Sequence, residues 1–297
     1  MDALSRVEQA LACAVEQSLA VAVAHTQEPG CPPRLAAALR YSVFPGGARI
    51  RPRLALAVAC ACGEDNPEIA DAAAASIELL HCASLVHDDL PCFDDAPIRR
   101  GKPSVHRAFG ERIAVLAGDA LIVLAFQTLA RGAAASPRRL AALVNIVARA
   151  VGMPGGIVAG QAWESESHVG LAEYQRAKTG VLFGAATMAG AESAGAESAP
   201  WRLLGERLGE AFQVADDLRD VLATEDELGK PIGQDKRLGR PSAVSQMGVE
   251  GATTHLKRLI TEAVDSIPQC SGAAGLKTLI QLEAQRFLPP RLAERAA

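Results

Sequence analysis

The chain has 297 residues and a formal net charge of −4, and 49% of its side chains are hydrophobic but only 4% aromatic. That balance favours closely packed helices over sheet, where β-branched and aromatic residues concentrate. The acidic balance argues against a nucleic-acid binder, and no Ser/Gly-rich or Pro-rich linker divides the chain, so a single domain over residues 1–297 is expected.

In chain order, residues 3–24 carry Leu4, Val7, Leu11, Ala14, Val15 and Leu19 at helical spacing, mixed with acids that no secretory signal would hold. "FPGGARI" follows, with two glycines ahead of a helix and Arg49 and Arg51 close by. It reads as an ordinary turn or as an anion site. No continuous apolar run reaches the ~18 residues of a membrane span; "LALAVACAC" is a short one. A helix over 67–90 opens on a proline, and further helices are expected near 112–130, 137–151, 171–190, 200–224, 242–248 and 250–266. Seven cysteines without a CxxC pair lack zinc-ligand spacing and read as reduced, small apolar residues. A cytoplasmic protein with no membrane span is the expectation.

Two acid clusters carry the chemistry. The first holds Asp88, Asp89, Asp94 and Asp95; Pro91 stops the helix, so Asp94 can fold back toward Asp88. The second, "FQVADDLRD", holds Asp216, Asp217 and Asp220, and Asp216 lies one helical turn from Asp220. Both clusters grow out of largely apolar helices, where carboxylates are costly unless paired or bound to metal. Hard oxygen donors suit Mg2+, which completes its shell with water and phosphates. Basic residues follow each cluster: Arg99, Arg100 and Lys102 after the first, and Lys230, Lys236, Arg237 and Arg240 after the second. Arginine forks suit diphosphate oxygens. No Walker loop or dinucleotide GxGxxG is present.

Together "DDLPCFD", "IRRGKPS", "AKTG", "FQVADD", "DDLRD" and "GKPIGQD" resemble the motifs of the trans-isoprenyl diphosphate synthases, or polyprenyl synthetases, in their expected order. "FPGGARIRP" and "GQAWESES" are most similar to geranylgeranyl diphosphate synthases of bacterial carotenoid and bacteriochlorophyll pathways. The resemblance implies an all-α, isoprenoid synthase-like helical bundle around a deep central cavity, in a homodimer. It implies condensation of isopentenyl diphosphate with dimethylallyl, geranyl and farnesyl diphosphates to all-trans geranylgeranyl diphosphate. Three Mg2+ would be held by Asp88 and Asp94 on one side and Asp216 on the other, with Asp89, Asp217 and Asp220 in support. Arg99, Lys178 and Lys230 would bind the allylic diphosphate, with Arg240 keeping a charge where a lysine is common. Arg51, His81 and Arg100 would bind isopentenyl diphosphate. Thr179 and Gln213 would turn oxygens toward the allylic cation beside Lys178.

Ala48 stands where the family carries a lysine that touches isopentenyl diphosphate, so weaker binding, or help from Arg49 or Arg53, is expected. Farnesyl-making relatives place an aromatic one turn before the first aspartate. Ala83 and Ser84 are small, which leaves room for a longer chain. The competing readings are a farnesyl diphosphate synthase, a terpene cyclase and a non-catalytic subunit of a heteromeric synthase. A cyclase would have an Asn/Ser/Glu second motif, and a non-catalytic subunit often has decayed aspartates.

Overall fold

The structure, a computed structural model, describes residues 3–44, 46–166, 179–222 and 242–285. Its helices are α1 (Ala3–Ala24), α2 (Pro33–Val43), α3 (Ile50–Cys62), α4 (Pro67–Asp88), α5 (Val105–Phe109), α6 (Glu111–Gly132), α7 (Pro137–Val151), α8 (Ile157–Ala162), α9 (Val181–Ser193), α10 (Arg202–Leu222), α11 (Ala243–Asp265) and α12 (Ala273–Gln285). A two-stranded hairpin, β1 (Ile98–Arg99) and β2 (Lys102–Pro103), interrupts them.

The core is built on α4. Asn66 caps it by accepting the Glu68 N–H at 3.2 Å, and Pro67 fills the first turn, where a missing N–H costs nothing. Ile69, Ala73, Ile77 and Leu80 are all buried along its length. Helix α6 lies against it, and Gly118 and Gly132, four turns apart, permit the close approach. A Cβ on Gly132 would stand 2.3 Å from the Ala72 Cβ, and one on Gly118 would stand 2.0 Å from the His87 ring. On the other side, α3 and α9 pack together and both touch α4.

The hairpin turns through Arg100 (φ 54°) and Gly101 (φ 74°), the paired positive dihedrals of a two-residue primed turn. It is fastened to the end of α2: the Tyr41 hydroxyl donates to Pro103 O at 2.8 Å, and the Lys102 ammonium donates to Phe44 O at 2.9 Å.

Several boundaries differ from expectation. The helix expected to reach residue 90 ends at Asp88, because Pro91 blocks further turns. One break falls where it is expected: the helices over 242–248 and 250–266 meet at a kink at Gly248 (φ 70°, ψ 173°), inside the stretch designated α11. The sequence does not announce α2, α5, α8 and α12, and it announces α3 only as a helix behind the two glycines, without bounds. In α3 the cause is clear: Leu54 to Ala59 are all buried, so no polar stripe marks a period. Of the helix expected over 171–190, residues 171–178 lie outside the described residues, and α9 runs on to Ser193.

Although no uninterrupted apolar run is as long as a membrane span, three helices among the described residues qualify by overall composition. Ser5–Gln27, Pro67–Asp88 and Glu111–Gly132 are each long and apolar enough by length and composition. Pro67–Asp88 buries 78% of its apolar window inside the fold, whereas Glu111–Gly132 buries 44% and Ser5–Gln27 buries 28%.

Candidate active site

After α4 the chain folds back on itself through four backbone bonds. Phe93 N donates to Leu90 O at 2.9 Å, Asp94 N to Asp88 O at 3.0 Å, Asp95 N to Leu90 O at 3.1 Å, and Ala96 N to Asp89 O at 3.2 Å. Pro91 and Cys92 form the outer bend of this loop. The fold-back brings one oxygen each of Asp88, Asp94 and Glu164 within 4.8 Å of one another. Glu164 follows α8, and Gln161 on α8 donates to both Asp88 Oδ1 (2.8 Å) and Glu164 Oε2 (3.1 Å). Three carboxylates with no soft ligand among them are the donor set magnesium favours.

Asp89 does different work. It is buried, and the Arg99 guanidinium grips its carboxylate through Nε at 2.9 Å and through Nη2. Burial pushes the Asp89 carboxyl above the usual carboxylate range, with Arg99 opposing. Arg99 Nη2 also lies 4.0 Å from Asp88 Oδ2, so this arginine sits beside the acid trio.

Further cations gather around α4 about two turns before Asp88, where His81 lies on the same face of the helix. Arg51 is buried, stacked 4.4 Å from the Phe183 ring centroid, with Nη1 3.5 Å from His81 Nε2. Its Nε has no hydrogen-bond partner among the described residues. Burial draws the Arg51 pKa down to about 10. The His81 pKa is held well below 6.5, first by burial and then by Arg51, Arg100, Arg99 and Arg49, so the ring is neutral at neutral pH. Arg100 projects from the hairpin turn past Gly47, where a Cβ would approach its Nε to 2.9 Å. Arg99, Arg100, Lys102, Tyr41 and Cys82 line a cleft of about 400 Å3.

Arg49, two residues from Arg51, is instead structural. Its left-handed backbone (φ 51°) turns it inward, where Nε meets Glu16 at 2.8 Å, Nη1 meets Glu78 at 2.7 Å and Nη2 meets Val43 O at 2.7 Å. Arg53 is paired to Glu283 at 2.6 Å. Arg49 is therefore engaged by structural partners, whereas Arg53 keeps its buried Nε without a hydrogen-bond partner among the described residues. Ala48 itself is exposed.

Just ahead of α9, Thr179 Oγ1 donates to Gln213 Oε1 on α10 at 3.2 Å, and Gln213 Nε2 donates to Asp217 Oδ1 at 3.0 Å. Asp217 also accepts the Ala243 N–H at 2.7 Å, which fixes the start of α11. Asp217 is thus tied into a polar chain, whereas Asp216 is half-buried and Asp220 is buried on the same helix. Asp216, Asp217 and Asp220 do not join the trio of Asp88, Asp94 and Glu164. Ala83 is buried in the core, and the half-buried Ser84 donates its hydroxyl to His81 O at 2.8 Å. Lys178, Lys230 and Arg240 lie outside the described residues.

Sequence reasoning missed Gln161, Glu164 and Glu78. The first two lie within "GQAWESES", whose resemblance was noted without any role for its residues; Glu78 is a lone acid inside an apolar helix, with no spacing to flag it.

The helical scaffold thus sets a hard-oxygen trio beside the Arg99 guanidinium, with the buried Arg51 further back along α4, beside His81. The polyprenyl synthetase family profile matches residues 32–277, and the chain belongs to that family. It is 56% identical over 281 residues to a geranylgeranyl diphosphate synthase of Cereibacter sphaeroides, covering 95% of this chain and 98% of that one. It is 53% identical to the enzyme of the same name from Rhodobacter capsulatus, with 95% and 98% coverage. Among solved structures, a Helicobacter pylori geranyltransferase complexed with magnesium and isoprenyl diphosphate superposes with TM-score 0.81 at 28% identity, covering 94% of this chain and 98% of that one.

Proposed function

We propose that the chain, as one domain over 1–297, is a magnesium-dependent, cytoplasmic prenyltransferase. It would condense isopentenyl diphosphate with dimethylallyl, geranyl or farnesyl diphosphate to all-trans geranylgeranyl diphosphate, as part of carotenoid or related isoprenoid biosynthesis. The observation that carries the reading is the pair of unlike groups near the end of α4: the Asp88, Asp94 and Glu164 trio, and the buried Arg51 beside His81, with Arg100 close enough to act on that ring. The names and identities of the two bacterial relatives support the product assignment.

Asp88 and Asp94 would hold Mg2+, with Glu164 adjoining and Asp216 and Asp220 supplying the second side; three ions are expected. The metal supplies charge neutralisation for the departing diphosphate. The rest falls to side chains of this chain. Arg99, fixed by Asp89, faces the allylic diphosphate with Lys178, Lys230 and Arg240. Arg51, Arg100 and neutral His81 take isopentenyl diphosphate; the unpaired Arg51 Nε gains an anionic partner when it binds. The allylic C–O bond breaks and leaves a carbocation near the Thr179–Gln213 pair. The alkene of isopentenyl diphosphate forms the new C–C bond, and a proton passes to the released diphosphate. Preorganised charge around the leaving group lowers the barrier without reorganisation during the reaction.

The test is an elongation assay with purified protein, Mg2+, labelled isopentenyl diphosphate and each allylic primer in turn, products being separated by chain length. C20 product from all three primers is expected, and its loss on chelation of the metal. No elongation with any primer would sink the reading, and a cyclic hydrocarbon would point to a cyclase.

A further inference from the structure

The loop after α4 carries one acid more than the metal reading uses. Asp94 and Asp95 are adjacent but serve different neighbours. Asp94 reaches the trio with Asp88 and Glu164, whereas Asp95 Oδ1 lies 3.2 Å from Arg107 Nη2 and 3.5 Å from His106 Nε2. Asp95 adopts φ 45°, a left-handed conformation aspartate tolerates better than most residues. That backbone twist is what separates the two side chains.

His106 is 6% exposed, and its Nδ1 lies 3.0 Å from the hydroxyl of Ser104, itself 1% exposed. Its Nε2 is buried with no hydrogen-bond partner among the described residues. A buried ring nitrogen aimed at a carboxylate just beyond bonding range is costly unless that gap closes. The neutral ring closes it consistently when Ser104 O–H donates to Nδ1 and Nε2–H donates to Asp95. Ser104 is anchored in turn, its N–H donating to Pro97 O at 3.0 Å.

We propose that His106 is a positioning residue that, through Ser104 and Asp95, latches the loop and holds Asp94 over Asp88 for metal binding. It touches neither metal nor substrate. The proposal rests on the reading of Asp88 and Asp94 as metal ligands. Outer partners of this kind set metal affinity by fixing the ligands, and their loss costs roughly tenfold or more.

The test measures equilibrium Mn2+ binding in the presence of inorganic diphosphate, from the electron paramagnetic resonance signal of free Mn2+, with metal-free melting temperature recorded alongside. His106→Ala is expected to weaken Mn2+ binding about tenfold. His106→Gln, whose amide can still donate toward Asp95, is expected to recover most of it. Asp95→Gly keeps the left-handed backbone, removes an exposed carboxylate and is expected to match His106→Ala; it carries the test if His106→Ala fails to fold. A purely structural role for His106 would lower the melting temperature and leave the affinity of the folded variants within twofold of wild type, which overturns the proposal. Wild-type protein that takes up no Mn2+ with diphosphate would overturn the metal reading itself, and the latch with it.

Discussion

At the scale of single residues, Arg49 and Arg51 show how two arginines one residue apart take opposite roles. Arg49 meets Glu16 and Glu78 and fastens α1 to α4, while Arg51 keeps an unpaired buried Nε against Phe183. Glu78, the acid closest to this cation group, is already taken by Arg49, with Arg100 3.9 Å from the same oxygen. Burial first, and then the surrounding positive charge, hold the His81 pKa well below 6.5. The sign follows by linkage. Above about pH 6.5 the ring is neutral in both folded and unfolded chains. Below it the unfolded chain takes up a proton that the folded site refuses, so stability present above pH 6.5 is lost as pH falls toward the folded value. Melting temperature measured from pH 7.5 down to 5 should fall more steeply for wild type than for His81→Gln. Equal slopes would clear His81 of that role.

At the scale of elements, the end of α4 was legible in the sequence and its surroundings were not. Local chemistry fixes the loop: Pro91 forbids another turn, and four aspartates announce the site. Glu164 and Gln161 arrive from a helix more than seventy residues away, and His106 reaches the loop from a five-residue helix after the hairpin. Such partners carry no periodic or clustered signal, because only tertiary packing gives them their neighbours. Similarly, the Arg49 and Arg51 roles separate only once the positive φ at Arg49 is known.

The same helix carries the proposed ruler for product length. Ala83 is five residues before Asp88, ~7.5 Å along the axis, and buried among core side chains. Ala83→Tyr should shift product from C20 toward C15, and overpacking should cost about 1–3 kcal/mol of stability. Product chromatography and thermal melting read the two effects separately. An unchanged C20 product from a folded variant would place the floor elsewhere.

At the scale of the whole molecule, α6 divides the fold from its surroundings. One face, with Gly118, Leu121 and Ala125, lies against the core on α4; the other exposes Leu116 at 50% and Val123 at 56%, seven residues apart and so on one stripe. Val115 widens that stripe at 42% exposure. Apolar surface presented in a row on a long helix can serve as an interaction face, and if the chain forms the homodimer that the family resemblance implies, a second α6 would be an occupant of matching chemistry. A helix clamped from both sides would hold α4, and with it Asp88, more rigidly than one face alone. Sedimentation should therefore give wild type at twice the 30.9 kDa chain mass, and Leu116→Glu with Val123→Glu at the monomer mass. The monomer should keep its helical content and lose elongation activity. A double variant that remains dimeric would remove α6 from the interface, and a fully active monomer would remove the link between assembly and the α4 site.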